Sequence, residues 1–221
     1  MPHTQIAIDG PAGAGKSTIA KLVAGELGFI YIDTGAMYRA ITLKALRLKI
    51  DLTDEDAFNF VYETDFSFKD GTLFMDGEDV SEAIREDDVS NNVSLIASYI
   101  SVRKKLVKMQ QDLAGEKNVV MDGRDIGYHV LPDAKYKFYL TASIKKRAER
   151  RLLDNLSRGI QSDMDTIEAE IKRRDHFDST RIHTPLKKAD DAKEIDTSNL
   201  TIDEVVKLII QNVREEEVYG F

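Results

Sequence analysis

The stretch GPAGAGKST, Gly10 to Thr18, limits the fold more than any other part of the chain. Gly10, Gly15, Lys16 and Ser17 occupy the Gly-x-x-x-x-Gly-Lys-Ser pattern, and Gly13 adds backbone freedom. Before it, QIAID is a short apolar run of strand type. After it, STIAKLVAGEL places Ile19, Leu22 and Val23 at helical spacing, which predicts one apolar helix face. Strand, loop and helix in that order make a phosphate grip. Glycines let several backbone N–H groups point inward, where they and the positive end of the helix dipole hold phosphate oxygens. Lys16 would neutralise the outer phosphates and the Ser17 hydroxyl could ligate Mg2+. Pro11, Ala12, Ala14 and Thr18 complete the expected ATP-binding run.

A chain of 221 residues is long enough for one sizeable α/β core with an inserted subdomain. The absence of cysteine excludes disulfides and thiolate metal sites, and the four histidines show no metal-binding helical spacing. MPHTQ lacks the basic and apolar regions of a secretory signal, and no apolar run approaches membrane-spanning length. The expectation is a cytoplasmic protein without a membrane partner. A net charge of −8 argues against binding a nucleic-acid polymer. Positive charge is nevertheless dense in IKKRAERR and IKRRD, which read either as solvated helix faces or as walls of a phosphate cleft.

Strand and helix patterns alternate through most of the chain: FIYID, a helix from Ala36 to Leu48 entered through Thr34 and Gly35, NVVMDGRD, KYKFYLTA, a basic helix from Ile144, DTIEAEIKRRDHFDSTR, AKEID, and a last helix capped by Thr201 and Glu204. DEDAFNFVYET reads as helical, and a helical pattern from Asp87 to Leu113 breaks near Tyr99 to Ser101. Between Asp65 and Val80, apolar and polar residues alternate around Asp70-Gly71 and Asp76-Gly77, a signal for a small antiparallel insert. The alternation predicts a parallel sheet covered on both faces, with ligands beyond the carboxyl ends of its strands. Asp9, Asp33, Asp122 and Thr141 fall at such ends.

Three protein classes use this loop. A switch GTPase needs an Asn-Lys-x-Asp motif, which is absent, and a mechanical ATPase belongs to a larger machine. A small-molecule kinase needs a second anion pocket. Arg174, Asp178 and Arg181 stand at i, i+4 and i+7, one helix face, while Arg173 points elsewhere. By periodicity alone this stripe equally describes surface ion pairs. Arg39 and Arg124, each near a strand end, turn the reading toward a phosphate clamp, since a guanidinium grips phosphate oxygens bidentately. A nucleotide monophosphate acceptor, with its second pKa near ~6, needs no general base. An alcohol acceptor would favour a positioned carboxylate, which the rim aspartates leave open.

The run GPAGAGKST, YIDTGAMYRA, EDVSEAIREDDVSNNVS, SVRKKL, VVMDGRDIG and IKRRD resembles the bacterial cytidylate kinases across essentially the whole chain and in family order. DTGAMYR and DGRDIG discriminate far better than the phosphate loop. The resemblance implies an adenylate-kinase-like core of five parallel strands at residues 1–34 and 114–221. It also implies a nucleoside-monophosphate subdomain with the insert at about 35–113 and a basic lid at about 147–164 carrying Arg147, Arg151 and Arg158. It further implies phosphoryl transfer from Mg-ATP to CMP and dCMP in pyrimidine nucleotide metabolism, by a monomer. Alternatives are a kinase of UMP or of a small alcohol, or a nucleotide-dependent switch. Arg39, Arg124 and Arg181 would hold the acceptor phosphate. Arg174 would bridge toward the transferring group, so that Lys16, Arg124, Arg174 and Arg181 form the catalytic set. Asp178 would reach the sugar, and Thr34 and Tyr38 would line the pocket. Ser94, Arg103 and Asp125 would read cytosine, and Asp122 would hold Mg2+ through water. Ala12 stands where some members have Ser, and Thr34 where others have Ser.

Overall fold

The computed structural model describes residues 3–69 and 71–219, and it divides into two compact units: Met1–Tyr31 with Asn118–Phe221, and Ile32–Lys117. The first unit carries most of a five-stranded parallel sheet of order β2-β6-β1-β7-β8. Its strands are β1 (Gln5–Asp9), β2 (Ile30–Asp33), β6 (Val119–Gly123), β7 (Tyr136–Thr141) and β8 (Lys193–Asp196). The last two residues of β2 belong to the second unit. Central β1 and β6 are buried almost throughout, as strands covered on both faces must be. Register pairs Ile8 with Asp122 and Asp9 with Gly123 on one side of β1, and Asp9 with Tyr139 on the other. The strand ends Asp9, Asp122 and Thr141 of the first unit therefore share one rim.

Helix α1 (Lys16–Leu27) buries Ile19, Ala20, Val23 and Ala24. Leu22 is exposed, contrary to the sequence expectation, because the small alanines rather than Leu22 complete the packed stripe. Ile6, Ile8, Val120, Phe138, Leu140 and residues of α7 (Ile202–Tyr219) fill the same core. The start of α7 is the expected capping box: Thr201 N–H donates to Glu204 Oε2 at 2.7 Å, and Glu204 N–H donates back to Thr201 Oγ1 at 3.3 Å. Two further helices, α5 (Ile144–Ser157) and α6 (Met164–Thr180), pack through Ala148, Ile167 and Ile171.

The second unit contains α2 (Thr34–Arg47), a 3-10 segment (Glu55–Glu63), the antiparallel strands β3 (Phe66–Lys69), β4 (Thr72–Met75) and β5 (Glu78–Asp79), then α3 (Asp87–Ile96) and α4 (Ile100–Ala114). Helix α2 starts two residues earlier than the sequence suggests, because Asp33 caps it by accepting the Ala36 N–H at 2.8 Å. Glu55–Glu63 is two 3-10 turns joined at a kink at Phe58, whose ring is fully buried. Of the two turns expected in the insert, Asp70 lies outside the described residues. Gly71, Asp76 and Gly77 have φ of 77°, 51° and 83°, the left-handed region that such turns require. The insert is tied to α2 by a Lys44–Asp76 pair and a bidentate Arg47–Glu78 pair. No helix among the described residues is long and apolar enough to cross a membrane.

Candidate functional site

The phosphate loop joins β1 to α1 with Gly10, Gly13 and Gly15 all at positive φ. Lys16 is buried and donates to the Pro11 carbonyl at 2.9 Å, so the loop folds its own cation inward. Burial, helped by the Arg124 guanidinium, pushes the Lys16 ammonium down to about 7. Ser17 Oγ donates to Asp122 Oδ2 at 2.9 Å, and the Tyr31 hydroxyl donates to Asp122 Oδ1 at 2.9 Å. A hydroxyl and a carboxylate are hard oxygen donors. They suit Mg2+, which takes few protein ligands and completes its shell with water and phosphate. Tyr31 was not singled out from the sequence; its position two residues before Asp33 on a strand neighbouring β6 was the available signal.

Beyond β6, the DGRDIG loop turns through Asp125 (φ −147°, ψ 24°) into a single π-helical turn, Ile126–Val130. Wide turns of this kind recur at functional sites and carry no sequence periodicity. Arg124 Nε donates to Asp178 Oδ2 on α6 at 3.0 Å. Arg181 Nη2 stands 3.9 Å from Asp125 Oδ1, with both side chains almost fully buried. Arg181 Nε also donates to the Thr184 carbonyl at 2.8 Å. Burial alone would raise the Asp178 carboxyl, but Arg124, then Arg174 and Arg181, hold it below the usual range. Arg174, Asp178 and Arg181 thus converge as expected, though not as one helical stripe. Helix α6 ends at Thr180, and Arg181 caps it with extended backbone (φ −60°, ψ 144°). Asp125 does not cap the following turn with its side chain.

Asp9 is the residue the sequence placed at a strand end without a role. It is 3% exposed, and it accepts the Ile126 N–H at 2.9 Å and the Gly127 N–H at 2.8 Å. Burial pushes its carboxyl up to about 7 against the pull of those two amides.

The three arginines grouped as a lid have different surroundings. Arg151 and Arg158 are exposed on or beside α5. Arg147 is buried: Nε donates to the Ala142 carbonyl at 3.0 Å, Nη1 to the Ala12 carbonyl at 3.1 Å, and Nη2 pairs with Asp175 at 2.6 Å. It joins the phosphate loop to α6 beside Arg174. Arg147→Ala should therefore cost ~3 kcal/mol by stranding Asp175 and the Ala12 carbonyl. Urea unfolding reads this directly, and an unchanged midpoint would show that the pillar carries no stability. Arg150 and Thr197 make a second, unanticipated brace. Arg150 Nη1 and Nη2 donate to Thr197 Oγ1 and O at 3.0 and 2.6 Å, and Thr197 Oγ1 lies 3.4 Å from the Ala14 carbonyl.

In the second unit, Thr34 and Tyr38 are buried on α2, and Arg39 pairs with the capping Asp33 at 3.2 Å. The Arg103 guanidinium lies 5.6 Å from the Tyr38 ring centroid and donates to the Ala97 carbonyl at 3.1 Å. Ser94 is half-buried on α3, next to buried Val93. Tyr38 and Arg103 are thus brought together, and Thr34 and Arg39 lie on the same helix.

A family model described as "Cytidylate kinase" matches residues 6–215. A protein named Cytidylate kinase from Bacillus cereus (strain G9842) is 52% identical over 213 residues, 94% of this chain and 95% of that protein. One of the same name from Shouchella clausii (strain KSM-K16) is 53% identical over 215 residues, 95% and 96% of the two chains. The crystal structure of a gluconokinase from Sinorhizobium meliloti 1021 aligns with 99% of this chain and 97% of its own, with a TM-score of 0.50 at 14% identity, which bears on the fold alone. With a family match running from β1 into α7 and relatives sharing half their residues over nearly their full lengths, this chain belongs to the cytidylate kinase family.

Proposed function

We propose that the protein transfers the γ-phosphoryl group of Mg-ATP to CMP and dCMP, yielding CDP or dCDP and ADP. The observation that carries this reading is the cluster Arg124, Asp125, Arg174, Asp178 and Arg181, gathered around the loop after β6 on the sheet rim that also bears the phosphate loop. Phosphate loop residues Gly10 to Thr18 hold ATP. Arg39, Arg124 and Arg181 hold the acceptor phosphate and Arg174 reaches the transferring group. Asp178 takes the sugar hydroxyls, and Thr34 and Tyr38 line the acceptor pocket. Mg2+, held by Ser17 and through water by Asp122, supplies charge neutralisation of the phosphate oxygens when bound. The acceptor phosphate is already ionised at neutral pH, so positioning and charge neutralisation suffice.

Asp125 with Ser94 accepts from the exocyclic amine of cytosine, and Arg103 donates to its N3. Uracil reverses both groups, and a buried polar group left unpaired discriminates strongly. Residues 147–164 form the lid: Arg151 and Arg158 are its moving charges and Arg147 its fixed root. The reading includes a cytoplasmic monomer. UMP kinase, alcohol kinase and switch readings are not favoured, given the family and the missing guanine motif.

ADP formation with Mg-ATP and, separately, CMP, dCMP, UMP, AMP or no acceptor tests this. Strong turnover with CMP and dCMP and weak turnover with UMP is expected. Equal ADP formation with no acceptor would overturn it.

Lys16 adds a pH signature. Its ammonium lies near 7 in the free protein and rises when phosphates replace the Pro11 carbonyl as its partner. Above pH 7 the bound state then holds more protons than the free state, so affinity falls as pH rises. Calorimetry at pH 8 in buffers of different ionisation enthalpy should show uptake of about one proton per Mg-ATP bound. Zero uptake would place Lys16 as fully charged before binding.

A further inference from the structure

We infer that Asp9 is a positioning residue for acceptor selection, holding the DGRDIG loop so that Asp125 is aimed at the base; this rests on the reading of the protein as a cytidylate kinase. The geometry is a two-point clamp. Both carboxylate oxygens of Asp9 are used, one by the Ile126 N–H at 2.9 Å and the other by the Gly127 N–H at 2.8 Å. These amides immediately follow Asp125. On the other side the loop leaves β6 at Gly123, which is in register with Asp9 itself. The chain between these two anchors contains only Arg124 and Asp125, whose side chains meet Asp178 and Arg181.

Among the described bonds, the Tyr128 hydroxyl ties the turn to the Pro185 carbonyl, and Asp9 ties it to β1. The π turn closes on itself through His129 N–H and Val130 N–H to the Asp125 carbonyl and Leu131 N–H to the Ile126 carbonyl. Those bonds set the turn's shape but not its attachment to the sheet. Among the described bonds, the attachment to β1 is Asp9. The same strand end leads into the phosphate loop at Gly10, but the described bonds of the Asp9 side chain go only to the acceptor-side loop.

The consequence is selective. Arg124 meets a phosphate that all monophosphates share, whereas Asp125 attracts cytosine and repels uracil. Releasing the loop should therefore weaken CMP use and relieve the exclusion of UMP together. A residue that merely stabilised the fold would lower both alike.

The test is Asp9→Asn, assayed at pH 8, where the wild-type carboxylate is ionised. The amide can accept from one N–H but turns its own NH2 toward the other. A misplacement of about 1 Å costs ~10²-fold, so the ratio of kcat/KM for CMP to that for UMP should fall by at least about tenfold, with KM for Mg-ATP changed less than about threefold. An unchanged ratio with both activities lowered would overturn the proposal. Hydrogen exchange of the wild-type protein, read by NMR, decides it independently of whether the variant folds. The Ile126 and Gly127 amides should exchange as slowly as those of β1, and exchange at the rate of exposed loop amides would also overturn it. Should wild-type protein use no monophosphate at all, the cytidylate kinase reading fails, while the exchange result still says whether Asp9 clamps the loop.

Discussion

Arg181→Ala is expected to lower turnover of CMP by about a thousandfold, and Arg174→Ala by a comparable factor, because each removes a preorganised cation from a site whose chemistry is charge neutralisation. Removing one such donor costs ~10²–10³ in kcat elsewhere, and a thousandfold corresponds to ~4 kcal/mol of barrier. The two variants should differ in how the loss divides. Arg174 is proposed to reach the transferring group, so its loss should appear in kcat with KM for CMP little changed. Arg181 is proposed to hold the acceptor phosphate and stands 3.9 Å from Asp125 inside a buried cluster. Its removal leaves that carboxylate with less positive charge, so KM for CMP should rise as well. Lysine should rescue neither, since a point charge does not reproduce a planar fork. Steady-state rates with varied CMP at saturating Mg-ATP, alongside thermal unfolding of each variant, check this. Near-normal kcat in Arg174→Ala, or in Arg181→Ala, would remove that arginine from the clamp.

Local signals explain what was legible in the sequence. QIAID, the glycine loop and the helix after it are contiguous, and β1 runs from Gln5 to Asp9 as its apolar run does. Turn residues at Gly71 and Asp76-Gly77 likewise announced the insert, because positive φ narrows the choice of residue. The five-stranded parallel sheet and small antiparallel sheet follow the expected alternation. Contacts made across long separations were not legible. Asp9 meets amides 117 and 118 residues away, and Arg147 meets the Ala12 carbonyl 135 residues back, so neither leaves a periodic trace. A basic run reads as solvated or mobile because most of its members are. Arg147 departs from that only because its three donor groups find the carbonyls of Ala142 and Ala12 and the carboxylate of Asp175. The arginine stripe shows the limit of periodicity from the other direction: Arg181 reaches its expected neighbours although the helix ends one residue before it.

Gly10→Ala should be a severely damaging single methyl. The backbone at Gly10 has φ 147°, a conformation L residues rarely adopt. A Cβ there would lie 2.1 Å from the Leu140 carbonyl oxygen and 3.1 Å from its carbon. That obstacle is backbone of β7, paired to β1 next to Asp9 and Tyr139, so it cannot rotate aside as a side chain would. Either the loop or the strand must move. Backbone strain alone costs ~1–3 kcal/mol, and a clash of this depth adds to it, so a loss of ~4 kcal/mol or more is expected. That would be a large share of the ~5–15 kcal/mol that holds a domain folded. Two further glycines make the comparison sharp. At Gly15 (φ 87°) a Cβ meets only Ile19 Cδ1 at 3.5 Å and Arg150 Nη1 at 3.9 Å, so alanine there should cost only the ~1–2 kcal/mol of a left-handed residue. At Gly25, inside α1 with nothing within 4 Å, alanine should stabilise by ~0.5–1 kcal/mol. Urea unfolding of the three variants should rank them in that order. A Gly10→Ala midpoint no lower than that of Gly15→Ala would mean that β1 and β7 do not hold the loop as closely as 2.1 Å requires. The phosphate grip would then owe its shape to the loop alone rather than to the strand beside it.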